Sequence, residues 1–378
     1  MKYVDDFRNG ELARHLAHRI HQAVQPGRRY RLMEFCGGHT HAIARYGLAA
    51  LLPDAIELIH GPGCPVCVLP IGRIDSAIEL ALKHHVTLCT YGDTLRVPAS
   101  RQMSLYRARA AGADVRLVYS SADALAIARA HPEREVVFFA IGFETTTPPT
   151  AVALLAAQAE GLKNFSVFSN HVLTPAAMRH LLADDDVNLD GFIGPSHVST
   201  IIGVAPYRAI AREYHKPVVI TGFEPLDVLQ AVLMLVTQIN EGRADTENQF
   251  TRAVTEQGNQ KAQALVAQTF SLRHAFEWRG LGLVPDSALA ISAPFAQWDA
   301  ERRFALSIQP VADVKACQCG EILRGRLKPT DCKVFGTACT PATPLGACMV
   351  SSEGACAAHY QYARFNLNDL NQKRTAAQ

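Results

Sequence analysis

The sequence predicts an α/β protein built from two similar parallel-sheet α/β domains and a third, cysteine-rich domain. Through the first 240 residues, short β-branched or aromatic runs alternate with runs of helical length, as strands joined by covering helices do. The strand candidates are apolar on both faces, as strands of a parallel sheet buried on both sides must be. From about residue 241 the alternation gives way to a polar helical stretch and then to a segment dense in Cys, Gly and Pro.

Taken in order, strands are expected at 31–36 (RLMEFC), 55–60 (AIELIH), 86–91 (VTLCTY), 114–120 (DVRLVYS), 135–142 (EVVFFAIG), 164–170 (NFSVFSN), 191–195 (GFIGP) and 217–223 (PVVITGF). Between them lie helical segments such as GRIDSAIELALKHH and EPLDVLQAVLMLVTQINEG. Eight strands are many for one compact unit. Two short echoes, AIGFETT at 140–146 against ITGFEPL at 220–226 and HGPGCP at 60–65 against IGPSHV at 193–198, point to two related halves. The expected division is therefore residues 1–120, 121–240 and 241–378.

Composition narrows the function classes. The 378 residues are 48% apolar and 19% charged, in the range of globular proteins with ample core. A net charge of +2 gives no grip on nucleic acid or an anionic membrane surface. The N-terminal stretch MKYVDDFRNGELARHL lacks the apolar core of a signal peptide, and no long uncharged apolar run occurs, so a cytoplasmic location is expected. In that reducing compartment ten cysteines read as metal binding or thiol chemistry rather than a disulfide framework.

Unusual polar residues follow the expected strands directly: Cys36 to His41, His60 to Cys67, Asp93, Glu144, His171, His197 and Glu224. Open parallel sheets bind ligands at the carboxyl ends of their strands, so a cleft between the two halves is the expected site. In EFCGGHTHAIARYG, Cys36 stands at a helix start, where the dipole favours its thiolate, and a thiolate with His39 three residues on can bind one transition metal ion. The bland alternative is a buried small cysteine with histidines as caps. In HGPGCPVCVLP, Cys64 and Cys67 sit where a strand turns into a helix, a layout open to a redox dithiol, a metal-ligand pair or inert packing. Cys89, inside an apolar strand, is expected to be core.

The tail from 317 to 356 carries six cysteines among few apolar residues, so a metal centre is expected to hold it together. Cys319, Cys332, Cys339 and Cys356 lack the short loops of zinc ribbons, which favours a four-thiolate iron–sulfur cluster over zinc, although neither standard ferredoxin spacing is present. The residues alone leave open which four of the six bind. Glu144 and Glu224 each follow a strand and open a helix; they are either helix N-terminal stabilisers or cleft-facing carboxylates. Neither a phosphate-binding G-x-x-x-x-G-K-[ST] loop nor a G-x-G-x-x-G after a strand is present.

The strings CGGHTH (36–41), HGPGCPVCVLP (60–70), GFETT (142–146), GFEPLD (222–227), ENQF (247–250), EWRGLG (277–282) and MVSSEGACAA (349–358) together resemble the HypD family of hydrogenase maturation factors, from about residue 30 to about 362. The resemblance implies two similar α/β domains, a third domain with a [4Fe-4S] cluster, and a scaffold on which an iron ion acquires two cyanides and one carbon monoxide for nickel–iron hydrogenases. It implies a HypC-type chaperone and a HypE-type cyanide donor as partners. By position it matches Cys36 to the family's iron-binding cysteine and His39 to the histidine beside it, Cys64 and Cys67 to a dithiol that cycles between thiol and disulfide, and Cys319, Cys332, Cys339 and Cys356 to the cluster ligands; with the residue chemistry above, Cys36, His39, Cys64 and Cys67 are the candidate metal ligands. Cys64, Cys67, Glu144 and Glu224 are the candidate catalytic residues. Direct electron transfer would require the cluster domain to pack beside the CPVC loop. The rival readings are an iron–sulfur-dependent thiol–disulfide oxidoreductase acting on a protein disulfide and a zinc-stabilised interaction module.

Overall fold

The computed structural model describes residues 5–184 and 187–362. All eight expected strands form: β1 (Tyr30–Glu34), β2 (Ile56–His60), β3 (Thr87–Thr90), β4 (Val115–Leu117), β5 (Val136–Gly142), β6 (Phe165–His171), β7 (Gly191–Pro195) and β8 (Val218–Thr221). Three more follow: β9 (Thr246–Asn248), β10 (Phe270–Trp278) and β11 (Gly282–Ile291). The strands make two parallel sheets, of order β2-β1-β7-β8-β9 and β4-β3-β5-β6, and an antiparallel ribbon β10-β11. The fold class is thus α/β with a cysteine-rich region near the C-terminus.

The sheets do not divide the chain at residue 120. β3 and β4, expected in the first domain, pair with β5 and β6, expected in the second; β7 to β9 return to the sheet that β1 and β2 began. A parallel strand reaches its neighbour through a crossover, so partners are chosen in space and a whole sheet can be inserted between two strands of another. The ribbon is also a departure, since the sequence after 241 reads as helical and cysteine-rich. Its exposed polar positions, such as Ser271, His274 and Asp286, break up the apolar run, as a ribbon wet on one face requires. It docks on the second sheet, where Leu173 N donates to Ser287 O (2.8 Å) and Ser169 Oγ to Leu289 O (3.0 Å).

Register aligns the carboxyl ends. Glu34 pairs with His60 and Ile193, and Pro195 with Thr221, so the loops after β1, β2, β7 and β8 leave from one edge. In the second sheet Gly142 lies beside His171 in the same way. One apolar core runs from Phe139 and Phe168 through Phe192 and Trp278 to Cys64, Cys67 and the tail cysteines Cys319, Cys332, Cys339 and Cys356. No helix among the described residues is long and apolar enough to cross a membrane.

Candidate metal and thiol site

In each sheet the strand order reverses at one point. β1 and β7 are neighbours whose following connections lead in opposite directions along the first sheet, and β3 and β5 stand in the same relation in the second. Such switch points open crevices at strand carboxyl ends. Both open into one cleft of about 420 Å³, lined from the first sheet by Gly63, Pro65, Val66 and His197, and from the second by Tyr91 to Thr94 and Ile141 to Phe143 with Thr145 and Thr146. Ser351 and Glu353 of the cysteine-rich tail close it. The cleft expected between two α/β units is present, with a wall from the third region.

Cys36 lies at the first of these switch points. It caps the helix Gly37–Arg45, its Sγ receiving the Gly38 N–H at 3.4 Å and lying 3.3 Å from His197 Nδ1. Its own N–H donates to Glu34 Oε2 (2.9 Å); the other oxygen of that buried carboxylate accepts from Thr40 and meets His60 Nδ1 at 2.9 Å. The two glycines serve close approach, since a methyl on Gly37 would overlap Glu353 and one on Gly38 the Phe223 ring. Against the expectation from its helix-start position, the Cys36 thiol is pushed well up. Burial dominates, Glu353 and Glu34 add to it, and the Gly38 N–H works the other way without prevailing.

His39 is fully buried, and its Nε2 lies 3.0 Å from Gly222 O and 3.2 Å from Thr221 O. Carbonyls accept only, so Nε2 carries the proton and Nδ1 keeps a lone pair, which has no hydrogen-bond partner among the described residues. A carbonyl fixing the far nitrogen is the usual setting of a ligating imidazole. Burial lowers the pKa of His39 and brings that of His197 down to about 4, so both rings are neutral near pH 7. Phe223 packs against both, with ring centroids at 4.8 and 5.3 Å.

Cys64 and Cys67 are joined as a disulfide at the start of the short helix Pro65–Val68, with Cα atoms 5.2 Å apart. The loop before them runs along Cys36, Gly37 N donating to Gly63 O at 3.0 Å. The short helix Pro65–Val68 lies against the turn Ala347–Met349 of the cysteine-rich region, and Arg279 N donates to Val68 O at 2.7 Å. The tail helix Ala355–Tyr362 packs on Gly37–Arg45, where His41 Nε2 meets Tyr362 Oη at 2.9 Å.

Among the described residues no three His, Cys, Asp or Glu side chains converge as one metal ion requires. Cys36, His39 and the disulfide therefore share an edge without forming a closed ligand set. The tail thiols form a looser group. Cys317 and Cys319 Sγ both lie against Gly346, Cys356 feels both of them, and Cys339 Sγ receives the Leu345 N–H at 3.4 Å. All of these but Cys317 are buried. Buried soft donors with N–H groups directed at sulfur fit an iron–sulfur cluster, which takes its four thiolates at separate irons rather than at one point.

The two candidate glutamates have other partners. Glu144 Oε1 and Oε2 accept from Thr174 N (2.8 Å) and Thr174 Oγ1 (3.0 Å), capping the helix Thr174–Leu182, and burial raises its pKa to about 7. Glu224 is paired with Arg8 on the outside, at 2.5 and 2.9 Å. Neither lines the cleft. His171 is buried in β6 against Thr150 Oγ1 (3.0 Å), and Cys89 is buried in β3 with its thiol pushed up to about 12 by burial.

Residues 11–363 match the family described as HypD, hydrogenase formation hypA family. The hydrogenase maturation factor HypD of Cupriavidus necator is 63% identical over 371 residues, 97% of this chain and 98% of that protein. The hydrogenase expression/formation protein HupD of Azotobacter chroococcum is 64% identical over 369 residues, covering 96% and 97% of the two chains. HypD of Escherichia coli K12 is 48% identical over 367 residues, covering 96% and 98%. The chain belongs to the HypD family. Its role is accordingly in hydrogenase maturation.

Within this HypD-family frame, His197 ranks from sequence only with the generic polar residues after strands, and Glu34 and Glu353 do not stand out at all. Glu34 lies inside EFCGGHTH and Glu353 inside MVSSEGACAA, so both were in view. What hid them was that β1 and β7 are neighbours across 157 to 161 residues of chain, and that the tail folds back over Gly37.

Proposed function

We propose that this HypD-family chain is the scaffold on which iron acquires cyanide and carbon monoxide for nickel–iron hydrogenases, working with a HypC-type chaperone and a HypE-type cyanide donor. The observation that carries the reading is that Cys36 and the Cys64–Cys67 disulfide follow adjacent strand ends, Cys36 touching His197 and the disulfide flanking Gly63, Pro65 and Val66, all four of which line one cleft walled by the cysteine-rich tail. Iron is the cargo. Cys36 offers a soft thiolate and His39 its Nδ1 lone pair, both suited to an iron that holds cyanide and carbon monoxide. As iron binds and displaces the Cys36 proton, His197, whose Nδ1 lies 3.3 Å from the sulfur and whose ring lines the cleft, is placed to relay that proton outward to solvent. Phe223 and the Thr221 and Gly222 carbonyls hold the two imidazoles in position.

Cys64 and Cys67 serve as the redox pair: two electrons and two protons convert their disulfide to two thiols. Cys319, Cys332, Cys339 and Cys356 would hold a [4Fe-4S] cluster, which supplies single electrons when bound. The buried contact between Pro65–Val68 and Ala347–Met349 also favours a second reading, a thiol–disulfide oxidoreductase acting on a protein disulfide.

Iron content separates the two. Anaerobically purified complex with the chaperone should carry one iron beyond the cluster, lost in Cys36→Ala, and vibrational spectra should show cyanide and carbon monoxide stretches. Complete complex without those stretches, and with iron unchanged by Cys36→Ala, would sink the scaffold reading in favour of the reductase.

A further inference from the structure

Six tail cysteines are present where a cluster needs four, and the two extra ones are differently placed. Cys348 is fully buried and is felt electrostatically at Cys356. Cys317 is different. It stands two residues before Cys319 and is only half-buried. A Cβ built on Gly346 would overlap both sulfurs, coming within 3.0 Å of each, so the two sulfurs are no farther apart than about twice that. Gly346 is thus a notch that both thiols enter. Cys317 and Cys319 are also the two cysteines that act electrostatically on both Cys339 and Cys356.

We propose that Cys317 and Cys319 compete for one coordination position of the tail's iron–sulfur cluster, so that either thiolate completes the set with Cys332, Cys339 and Cys356. This rests on the reading that the tail holds such a cluster. Exchange between the two breaks one iron–sulfur bond, forms another, and moves one proton from the incoming thiol to the outgoing thiolate; no electron is gained or lost. The half-exposed position of Cys317 lets the exchange occur at the surface of the site without opening the core.

The test uses full-length chain purified anaerobically, as wild type, Cys317→Ala, Cys319→Ala and the double variant. Iron and acid-labile sulfide are counted, and the dithionite-reduced proteins are examined by electron paramagnetic resonance. Each single variant should keep most of the wild-type iron and sulfide, and the double variant should lose nearly all. The wild-type resonance should be a superposition of two species, of which each single variant shows one. Loss of the cluster in Cys319→Ala, together with a Cys317→Ala spectrum identical to wild type, would overturn the proposal. Should Cys319→Ala fail to fold, by circular dichroism, identity of the Cys317→Ala and wild-type spectra overturns it alone, and a difference between them supports it. Wild-type chain with zinc and no sulfide would instead overturn the underlying iron–sulfur reading, and this inference with it.

Discussion

The two sheets present their switch points to the same cleft, yet one end carries donors and the other a wall. The first sheet contributes His197, with Cys36 behind it, and Gly63, Pro65 and Val66 of the Cys64–Cys67 loop; the second contributes Tyr91, Asp93, Thr94, Thr145 and Thr146. The string Gly-Phe-Glu occurs once in each, after β5 and after β8, and its fate differs. Phe223 packs on His39 and His197, whereas Phe143 packs on Trp278, 6.0 Å between centroids. Glu224 pairs with Arg8 at the surface, whereas Glu144 is buried on Thr174. A local string fixes strand, turn and helix start; what its side chains do depends on which sheet receives it.

The largest expected effect comes from the donor-bearing end. A methyl on Gly63 would overlap the backbone N and Cα of Cys36, neither of which can swing aside. Gly63→Ala should cost about 3 kcal/mol of stability in urea unfolding and lower iron binding. The matching change at the wall, Gly92→Ala, meets only Leu117 Cδ1 at 3.1 Å, and should cost less than about 1 kcal/mol. Equal losses would break the contrast between the two ends.

Glu144 tests the second sheet by pH. Its folded pKa, about 7, lies above the ordinary value of 4.5, so the folded state binds the proton more tightly. The stability it contributes is full below about pH 4.5 and is lost as pH rises through about 7. Glu144→Gln should remove a fall of roughly 2–3 kcal/mol between pH 5 and 8, since each tenfold difference in proton affinity between folded and unfolded chain is worth about 1.4 kcal/mol. Parallel pH profiles for the two proteins would refute the assignment of that slope to Glu144.

The smallest effect is expected at the other glutamate. Arg8 and Glu224 are 40% and 21% exposed, so Glu224→Gln should cost no more than about 1 kcal/mol, and less in high salt. A loss rivalling that of Gly63→Ala would mean that Glu224 holds the Gly222 carbonyl, and with it His39, in place.

Much of the fold was legible because strands buried on both faces write continuous apolar runs; all eight expected strands formed. The ribbon β10-β11 was not, since its wet face breaks the run at Ser271, His274 and Asp286. In the site, Cys36, His39 and the Cys64–Cys67 pair announce themselves because glycine, cysteine and histidine at a strand end are poor core material. His197 and Glu34 do not, because a histidine or glutamate after a strand is commonplace until its neighbour is known. The raised Cys36 thiol was likewise hidden, for it depends on burial and on Glu353, more than 300 residues away in the chain.

The sequence by itself determined the fold class, the two glycine-flanked cysteine motifs and the family to which the chain belongs, because each is written in contiguous residues. Only the tertiary structure decided that the second sheet is inserted into the first, that β1 lies beside β7, and that Cys317 shares a notch with Cys319. Strand order in a parallel sheet is set by crossovers and packing rather than by neighbours in the chain, so the pairing of Cys36 with His197 exists only once the sheet has closed.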